Sequence, residues 1–345
     1  MRTIDLFCGA GGLSLGFQQA GFETVAAVEL DRPSVATFAS HSPQATLIDS
    51  DVRGVDFSDF RGLADVVIGG PPCQPFSTGG LRRAKLDERD MVPEFIRAIS
   101  QIQPEAFVME NVPGLSVGAC RPYLAEVIVA LEDLGYMVDV RVLKAEEFGV
   151  PQKRRRMFLV GIRGQKFCFP QPTHGENGLL PIRVAGDILS DEPFGQPNTS
   201  KVYYAKNVDI RKSPYQGLLF NGGGRSIDLK QPSPTIISSA GGNKTHFVDT
   251  LGIVPEYHSY LMKGGKPKSG EVPGCRRLTV EESAFLQTFP EDIQFSGPRS
   301  AQYRQIGNAA PPLLAFSVAD ALRRQVFANE ACVNIAANHA QYVLL

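Results

Sequence analysis

Thr3-Ile4-Asp5-Leu6-Phe7-Cys8-Gly9-Ala10-Gly11-Gly12 decides how the chain is read. A short apolar run, Thr3–Phe7, stops at a cluster of glycines. Leu13, Phe17 and Ala20 then recur at helical spacing, and Gly21 stands where a helix C-cap would. This is a strand, a tight turn and a helix. Working outward, Thr24–Val28 reads as a second strand ending in Glu29, and Asp31 as the N-cap of a helix through about Ser40. Thr46–Ile48, Asp65–Ile68 and Ala106–Met109 read as further strands. Helices are expected where Val92, Phe95, Ile96, Ile99 and Ile102 recur, and again through Val127, Ile128, Leu131 and Leu134, with Gly135 as a stop. Strands alternating with helices predict an α/β fold with a doubly wound, mostly parallel sheet. Such sheets bind ligands at the carboxyl ends of their strands. Asp5, Glu29, Asp51, Cys73 and Glu110 all fall there.

The texture changes after Arg163. Residues 170–275 are rich in Gly, Pro, Asn and Ser, with turn signals such as Asn221-Gly222-Gly223-Gly224 and Gly241-Gly242-Asn243. They predict a smaller, loop-rich domain of irregular strands. Helical periodicity returns at Val280–Gln287 and at Leu313–Arg323.

Composition narrows the class. The chain has 345 residues, 43% of them hydrophobic, and a formal net charge of −1. Apolar content suffices for a real core, and the charge balance excludes a generally basic nucleic-acid coat, so any DNA contact must come from local clusters. Six cysteines, at 8, 73, 120, 168, 275 and 332, show no paired spacing. With no signal peptide, no membrane-length apolar stretch and no repeat, the expectation is a reduced, soluble, cytoplasmic protein.

The glycine turn lets backbone approach a ligand closely, although it departs from G-x-G-x-x-G because the helix begins sooner. Glu29, at the end of the second strand, could hold both ribose hydroxyls. Asp51 could accept from an adenine amino group, and Phe7 could stack on the ring. These residues point to a nucleoside, and do not by themselves separate NAD from S-adenosylmethionine.

Gly69-Gly70-Pro71-Pro72-Cys73-Gln74-Pro75-Phe76-Ser77 follows the fourth strand. A lone cysteine is more often a packed core thiol than a nucleophile. Cys73, however, lies beyond the strand's carboxyl end, its prolines stiffen the turn that presents it, and the run Lys153-Arg154-Arg155-Arg156 could lower its pKa. Phe76 and the lack of any His-x-Glu exclude a zinc deaminase. No metal is expected.

Pro-Pro-Cys-Gln-Pro-Phe-Ser resembles the DNA (cytosine-5)-methyltransferases of prokaryotic type. Asp-Leu-Phe-x-Gly-x-Gly-Gly lies upstream and Glu110-Asn111-Val112 downstream. Gln152–Arg156, Arg276-Arg277-Leu278-Thr279 and Gln305-Ile306-Gly307-Asn308 continue the resemblance in the family's order. The resemblance implies a Rossmann-like S-adenosylmethionine-dependent methyltransferase fold, with S-adenosyl-L-homocysteine as product. The catalytic residues it implies are Cys73 as nucleophile, Glu110 as donor to cytosine nitrogen 3, Arg156 on the cytosine carbonyl, and Arg154 near the thiol and a phosphate. The cofactor residues it implies are Phe7, Gly9, Gly11, Gly12, Glu29, Asp51, Val52, Pro72 and Asn308.

The target carbon is inaccessible in a duplex, so the base must be extruded. Gln74–Arg89, with Ser77, Arg82 and Arg83, matches the family's catalytic loop. Arg225, Asn243 and Lys244 lie on glycine-rich loops suited to phosphates or base edges. The domains expected are 1–168 plus 304–330 for catalysis and cofactor, 169–275 for target recognition, 276–303 as a hinge, and 331–345 as a tail. The partner expected is double-stranded DNA, met by a monomer near a prokaryotic nucleoid, with a cognate restriction endonuclease acting separately or none. Two alternatives stand beside this: a transfer-RNA cytosine-5 methyltransferase, disfavoured because Cys168-Phe169-Pro170 lacks that branch's Cys-Phe-Thr, and an NAD-dependent dehydrogenase.

Overall fold

The structure, a computed structural model, describes residues 1–72, 89–328 and 330. Cys73, Ser77, Arg82 and Arg83 lie outside the described residues. Two compact units are present: Met1–Phe148 with Arg155–Pro181 and the segment from Ala309, and Gly149–Arg154 with Ile182–Asn308.

The first unit is α/β. Its strands are β1 (Arg2–Leu6), β2 (Glu23–Glu29), β3 (Thr46–Asp49), β4 (Val66–Gly69), β5 (Ala106–Asn111), β6 (Tyr136–Lys144) and β7 (Arg155–Arg163). They form one seven-stranded sheet in the order β3-β2-β1-β4-β5-β7-β6. β1 to β5 pair in parallel, while β7 runs antiparallel to both its neighbours. The chain leaves β1 in one direction for β2 and β3, then crosses over to β4, so the topological switch point lies between β1 and β4.

Period-two alternation on β1 sends Ile4 and Leu6 into one large core with Phe95, Phe107, Met109 and Leu159. Thr3 and Asp5 are also fully buried. Helix α1 (Gly12–Gln19) packs against α8 (Pro312–Leu322) through a glycine contact. A Cβ on Gly16 would lie 2.5 Å from both the Ala315 methyl and the Pro312 carbonyl, and one on Gly12 would lie 2.3 Å from the Ala310 carbonyl. Helix α2 (Arg32–His41) starts where expected, with the Asp31 carboxylate accepting from the Ser34 N–H. Helices α3 (Val92–Ile102) and α4 (Arg121–Glu132) each carry proline in the first turn, where its missing N–H costs nothing.

β6 and β7 extend the expected sheet. Met157–Ile162 is buried on both faces, so it carries no alternation to betray it as a strand.

The second unit holds the pairs β8 (Tyr204–Ile210) with β9 (Gly217–Phe220) and β10 (Phe247–Asp249) with β11 (Cys275–Arg277). Helix α5 (Ile253–Met262) lies within the stretch expected to be irregular strands; its Val254, Tyr257 and Leu261 repeat at helical spacing and pack on Leu219, Phe220 and Phe247. Helices α6 (Val280–Leu286) and α7 (Arg299–Asn308) complete it. The Arg276–Thr279 string has a local explanation. Thr279 and Glu282 form a reciprocal capping box, and Arg276 pairs with Glu282 at 2.8 Å.

No helix among the described residues is long and apolar enough to cross a membrane.

Candidate active site

The glycine turn after β1 is built by torsion and packing together. Phe7, Gly9 and Gly11 all take positive φ, at 63°, 55° and 85°. A side chain on Gly9 would meet nothing within 4 Å, so open space lies beside its backbone. Gly11 is constrained from below, because a Cβ there would sit 2.6 Å from the His41 ring. His41 Nε2 lies 3.0 Å from the Ala10 carbonyl, and Ser42 Oγ lies 3.2 Å from His41 Nδ1. The last turn of α2 thus props the loop. A solitary histidine carries no spacing signal, so His41 was illegible in sequence.

Glu29 closes the other side. Its carboxylate accepts from the N–H groups of Gly9 at 2.8 Å, Leu30 at 2.8 Å and Asp31 at 2.7 Å. Two carboxylate oxygens offer about four lone-pair sites, so Glu29 keeps capacity for a hydroxyl. This acceptor, beside the open backbone of Gly9 and half-buried Phe7, fits the hydroxyls of an adenosine-type cofactor.

Other expected cofactor residues sit differently. The Asp51 carboxylate is gripped by the Arg53 side chain at 2.5 Å, which holds its pKa down to about 2. An adenine amino group would therefore have to share it with that guanidinium. Val52 is in the core, leaving only its backbone to offer. Exposed Pro72 gives its carbonyl to the Met91 N–H, and exposed Asn308 ends α7 in the second unit.

Beneath the turn, Asp5 is fully buried, with Oδ2 accepting from the Ser14 hydroxyl at 2.6 Å. Among the described residues its Oδ1 has no hydrogen-bond partner. Burial, reinforced by the Glu29 charge and opposed by Ser14, raises its pKa to about 7. A carboxyl that keeps its proton longer when folded stabilises the protein most below its unfolded pKa. That stabilisation is lost as pH climbs through about 7. The rise from 3.8 to about 7 corresponds to roughly 4 kcal/mol as an upper bound. Asp5→Asn, which still accepts from Ser14, is expected to flatten the fall in urea midpoint between pH 5 and pH 8. An unchanged slope would show that Asp5 is not the responsible group. The neighbouring Cys8 thiol is pushed well above its ordinary range, first by burial and then by Asp5 and Glu29.

The second cluster forms at the ends of β4 and β5. Pairing of Gly69 with Met109 sets Gly70 beside Glu110, and a Cβ on Gly70 would lie 3.2 Å from Glu110 Oε2. Glu110 Oε1 meets Arg156 Nε at 2.6 Å, with both side chains largely buried. Asn111 Nδ2 donates to the Pro71 carbonyl at 3.0 Å, tying the start of the Pro-Pro-Cys segment to the strand that carries Glu110. The sheet therefore brings Glu110 and Arg156 together beside the residues leading into Cys73.

Arg154 is 1% exposed and turned inward within the second unit, donating to the Ile236 carbonyl at 2.8 Å and the Gly307 carbonyl at 2.6 Å. This is the place of a clamp rather than of a phosphate contact. Gln152 joins the same network, donating to Gln287 Oε1 at 2.6 Å.

Arg225, Asn243 and Lys244 are exposed on two loops of the second unit. The loops pack without slack: a Cβ on Gly222 would fall 2.0 Å from the Asn243 carbonyl, and one on Gly224 would fall 1.9 Å from the Thr245 carbonyl. Buried Arg277 straps them, donating to Thr245 O at 2.6 Å and Asn221 Oδ1 at 3.1 Å. Among the described residues no group of His, Cys, Asp or Glu could hold a metal ion.

Residues 1–324 match the family described as C-5 cytosine-specific DNA methylase. The chain belongs to that family. It is 35% identical to the Type II methyltransferase M1.HphI of Haemophilus parahaemolyticus, over 93% of this chain and 86% of that one. It is 34% identical to the Type II methyltransferase M.AplI of Arthrospira platensis, over 93% and 85%. In fold it is similar to the S. pombe Dnmt2 methyltransferase, at 17% identity and a TM-score of 0.68, covering 94% of this chain and 98% of that one. The family match and the sheet order agree on an S-adenosylmethionine-dependent methyltransferase fold, and the family match gives methylation of DNA at cytosine C-5 as the family's activity.

Proposed function

We propose that this protein is a sequence-specific DNA methyltransferase that modifies carbon 5 of a flipped-out cytosine through a covalent Cys73 adduct, in a restriction-modification pair or as a solitary or phage enzyme. The observation that carries the chemistry is the Glu110–Arg156 pair, held at 2.6 Å beside Gly70 and the Pro71-Pro72 approach to Cys73.

Carbon 5 of cytosine is a weak nucleophile. Addition of the Cys73 thiolate to carbon 6 turns the ring into an enamine whose carbon 5 can attack an electrophile. Nitrogen 3 must take up a proton or a strong hydrogen bond as the ring accepts the sulfur, and Glu110 is the group to supply it. In the state described here Glu110 is ion-paired, so the base has to draw Arg156 onto its carbonyl as Glu110 takes a proton for nitrogen 3. Bound S-adenosylmethionine would supply an electrophilic methyl group, held by Phe7, Glu29 and the backbone of Gly9, with Asp51, Pro72 and Asn308 as further contacts. Loss of the carbon 5 proton to a base or water, with departure of Cys73 and return of the nitrogen 3 proton to Glu110, then restores the neutral aromatic ring and the thiolate.

Double-stranded DNA is the partner in this reading, with Ser77, Arg82 and Arg83 of the segment after Cys73 and Arg225, Asn243 and Lys244 of the recognition loops as its contacts. Lys and Arg there would meet phosphates or guanine edges. The test is incubation with unmethylated genomic DNA and S-adenosylmethionine, followed by bisulfite sequencing. Protection of cytosine within one short motif is the expected result. Conversion of every cytosine, with cofactor binding verified, would sink the assignment.

A further inference from the structure

His246 is a two-ended link inside the second unit. The residue is 7% exposed. The Arg225 backbone N–H donates to its Nδ1 at 3.0 Å, and its Nε2 lies 3.1 Å from the Thr235 carbonyl. An imidazole that accepts at Nδ1 and faces a carbonyl with Nε2 must be the neutral Nε2–H tautomer. The surroundings favour that form: burial lowers its pKa, and the Arg225 and Arg277 cations lower it further, against the opposing hydrogen bond to Thr235.

The connection continues beyond Thr235. The Thr235 hydroxyl donates to the Lys153 carbonyl at 2.5 Å, and the Lys153 N–H donates to Ser233 O at 2.8 Å. The Ile236 N–H donates to Gln152 Oε1 at 3.1 Å, while Arg154 holds the Ile236 carbonyl at 2.8 Å. An unbroken series of hydrogen bonds therefore runs from the backbone of Arg225 to Gln152, Lys153 and Arg154. Two residues further along the chain stands Arg156, the partner of Glu110. The Arg225 end has little freedom, because Arg225 O also accepts from Phe247 and Gly224 is packed against Thr245.

We propose that His246 is a positioning residue for target discrimination: it keeps the backbone of the Arg225 loop in register with Gln152–Arg154. A wrong base pair under that loop then disturbs the segment leading into Arg156 rather than being absorbed locally. The inference rests on the reading that Arg225 meets DNA. A rigid ring with an acceptor on one edge and a donor on the other does what no single amide can do there. Asparagine can place an acceptor near Nδ1, and glutamine a donor near Nε2, but neither does both.

The full-length chain carrying His246→Asn or His246→Gln is assayed on duplexes bearing the motif the wild type methylates in genomic DNA. Duplexes with single base-pair changes outside the target cytosine are assayed beside them. Both variants are expected to lower the kcat/KM preference for the motif tenfold or more at one or two positions. On the motif itself kcat stays within threefold, and KM for S-adenosylmethionine does not move. Arg225→Ala relaxes the same positions. Unchanged preference in both His246 variants, or a uniform loss on every duplex tracking a fall in Tm, overturns the proposal. So does relaxation at positions that Arg225→Ala leaves untouched. A wild type that methylates no DNA removes the underlying reading and this proposal together, whereas retained methylation with unchanged preference removes the proposal alone.

Discussion

Replacing Cys73 with alanine is expected to abolish methyl transfer, with a loss on the order of 10⁴-fold or more, the scale seen when an enzyme loses its nucleophile. DNA and S-adenosylhomocysteine binding should survive. A direct readout is the covalent adduct with duplex DNA carrying 5-fluorocytosine at the target, where the blocked elimination traps the enzyme. Wild type should form it and Cys73→Ala should not. Rescue by the other thiol near the glycine turn is not expected, because burial and the Asp5 and Glu29 charges push Cys8 well above the range in which a thiolate forms. An adduct that persists in Cys73→Ala would place the nucleophile elsewhere.

Glu110→Gln is the second large effect. The amide keeps the shape beside Gly70 and can still offer a hydrogen bond, but it cannot transfer a proton to nitrogen 3. Single-turnover methylation is expected to slow by about 10²- to 10⁴-fold, the usual worth of a positioned acid. Arg156 loses its ionic partner at the same time, and removing one member of a largely buried pair is destabilising. Tm should therefore be recorded with the rate. A wild-type rate in Glu110→Gln would remove Glu110 from the proton path.

Much of the first unit was legible because its signals are local. The apolar run into glycine, the Asp31 cap and the apolar spacing of α3 act within a few residues. The structure places β1, α2 and α3 within about a residue of expectation, whereas α4 begins at Arg121, well before the expected Val127. The antiparallel strands β6 and β7 were harder. An antiparallel return needs no helix between strands, so the alternation that announced the parallel strands falls silent there. Helix α5 was masked by its glycine- and lysine-rich surroundings.

Site residues divide along the same line. Phe7, Gly9 and Glu29 occupy positions any strand-turn-helix reading would mark. Asp51 was marked by the same logic, yet its grip on Arg53 is a side-chain choice that no pattern discloses. Arg154 and Arg156 stand two apart in a basic run and look equivalent in sequence. One is buried against backbone carbonyls and the other faces Glu110. His41 and His246, single residues far in sequence from what they hold, left no trace at all.

By itself, then, the sequence determined the alternating sheet, the glycine turn at its switch point, the motif order that places the chain among the cytosine C-5 DNA methylases, and the residue types its chemistry needs. Tertiary structure decided which of those side chains meet. Glu110 and Arg156 pair because β5 and β7 are antiparallel neighbours, and the pKa of the Asp5 carboxyl is pushed up to about 7 because the sheet and α1 shut it from water. Spacing along a chain reports local torsion and burial. Partnership between distant charges depends on register and desolvation, and those exist only once the sheet has closed.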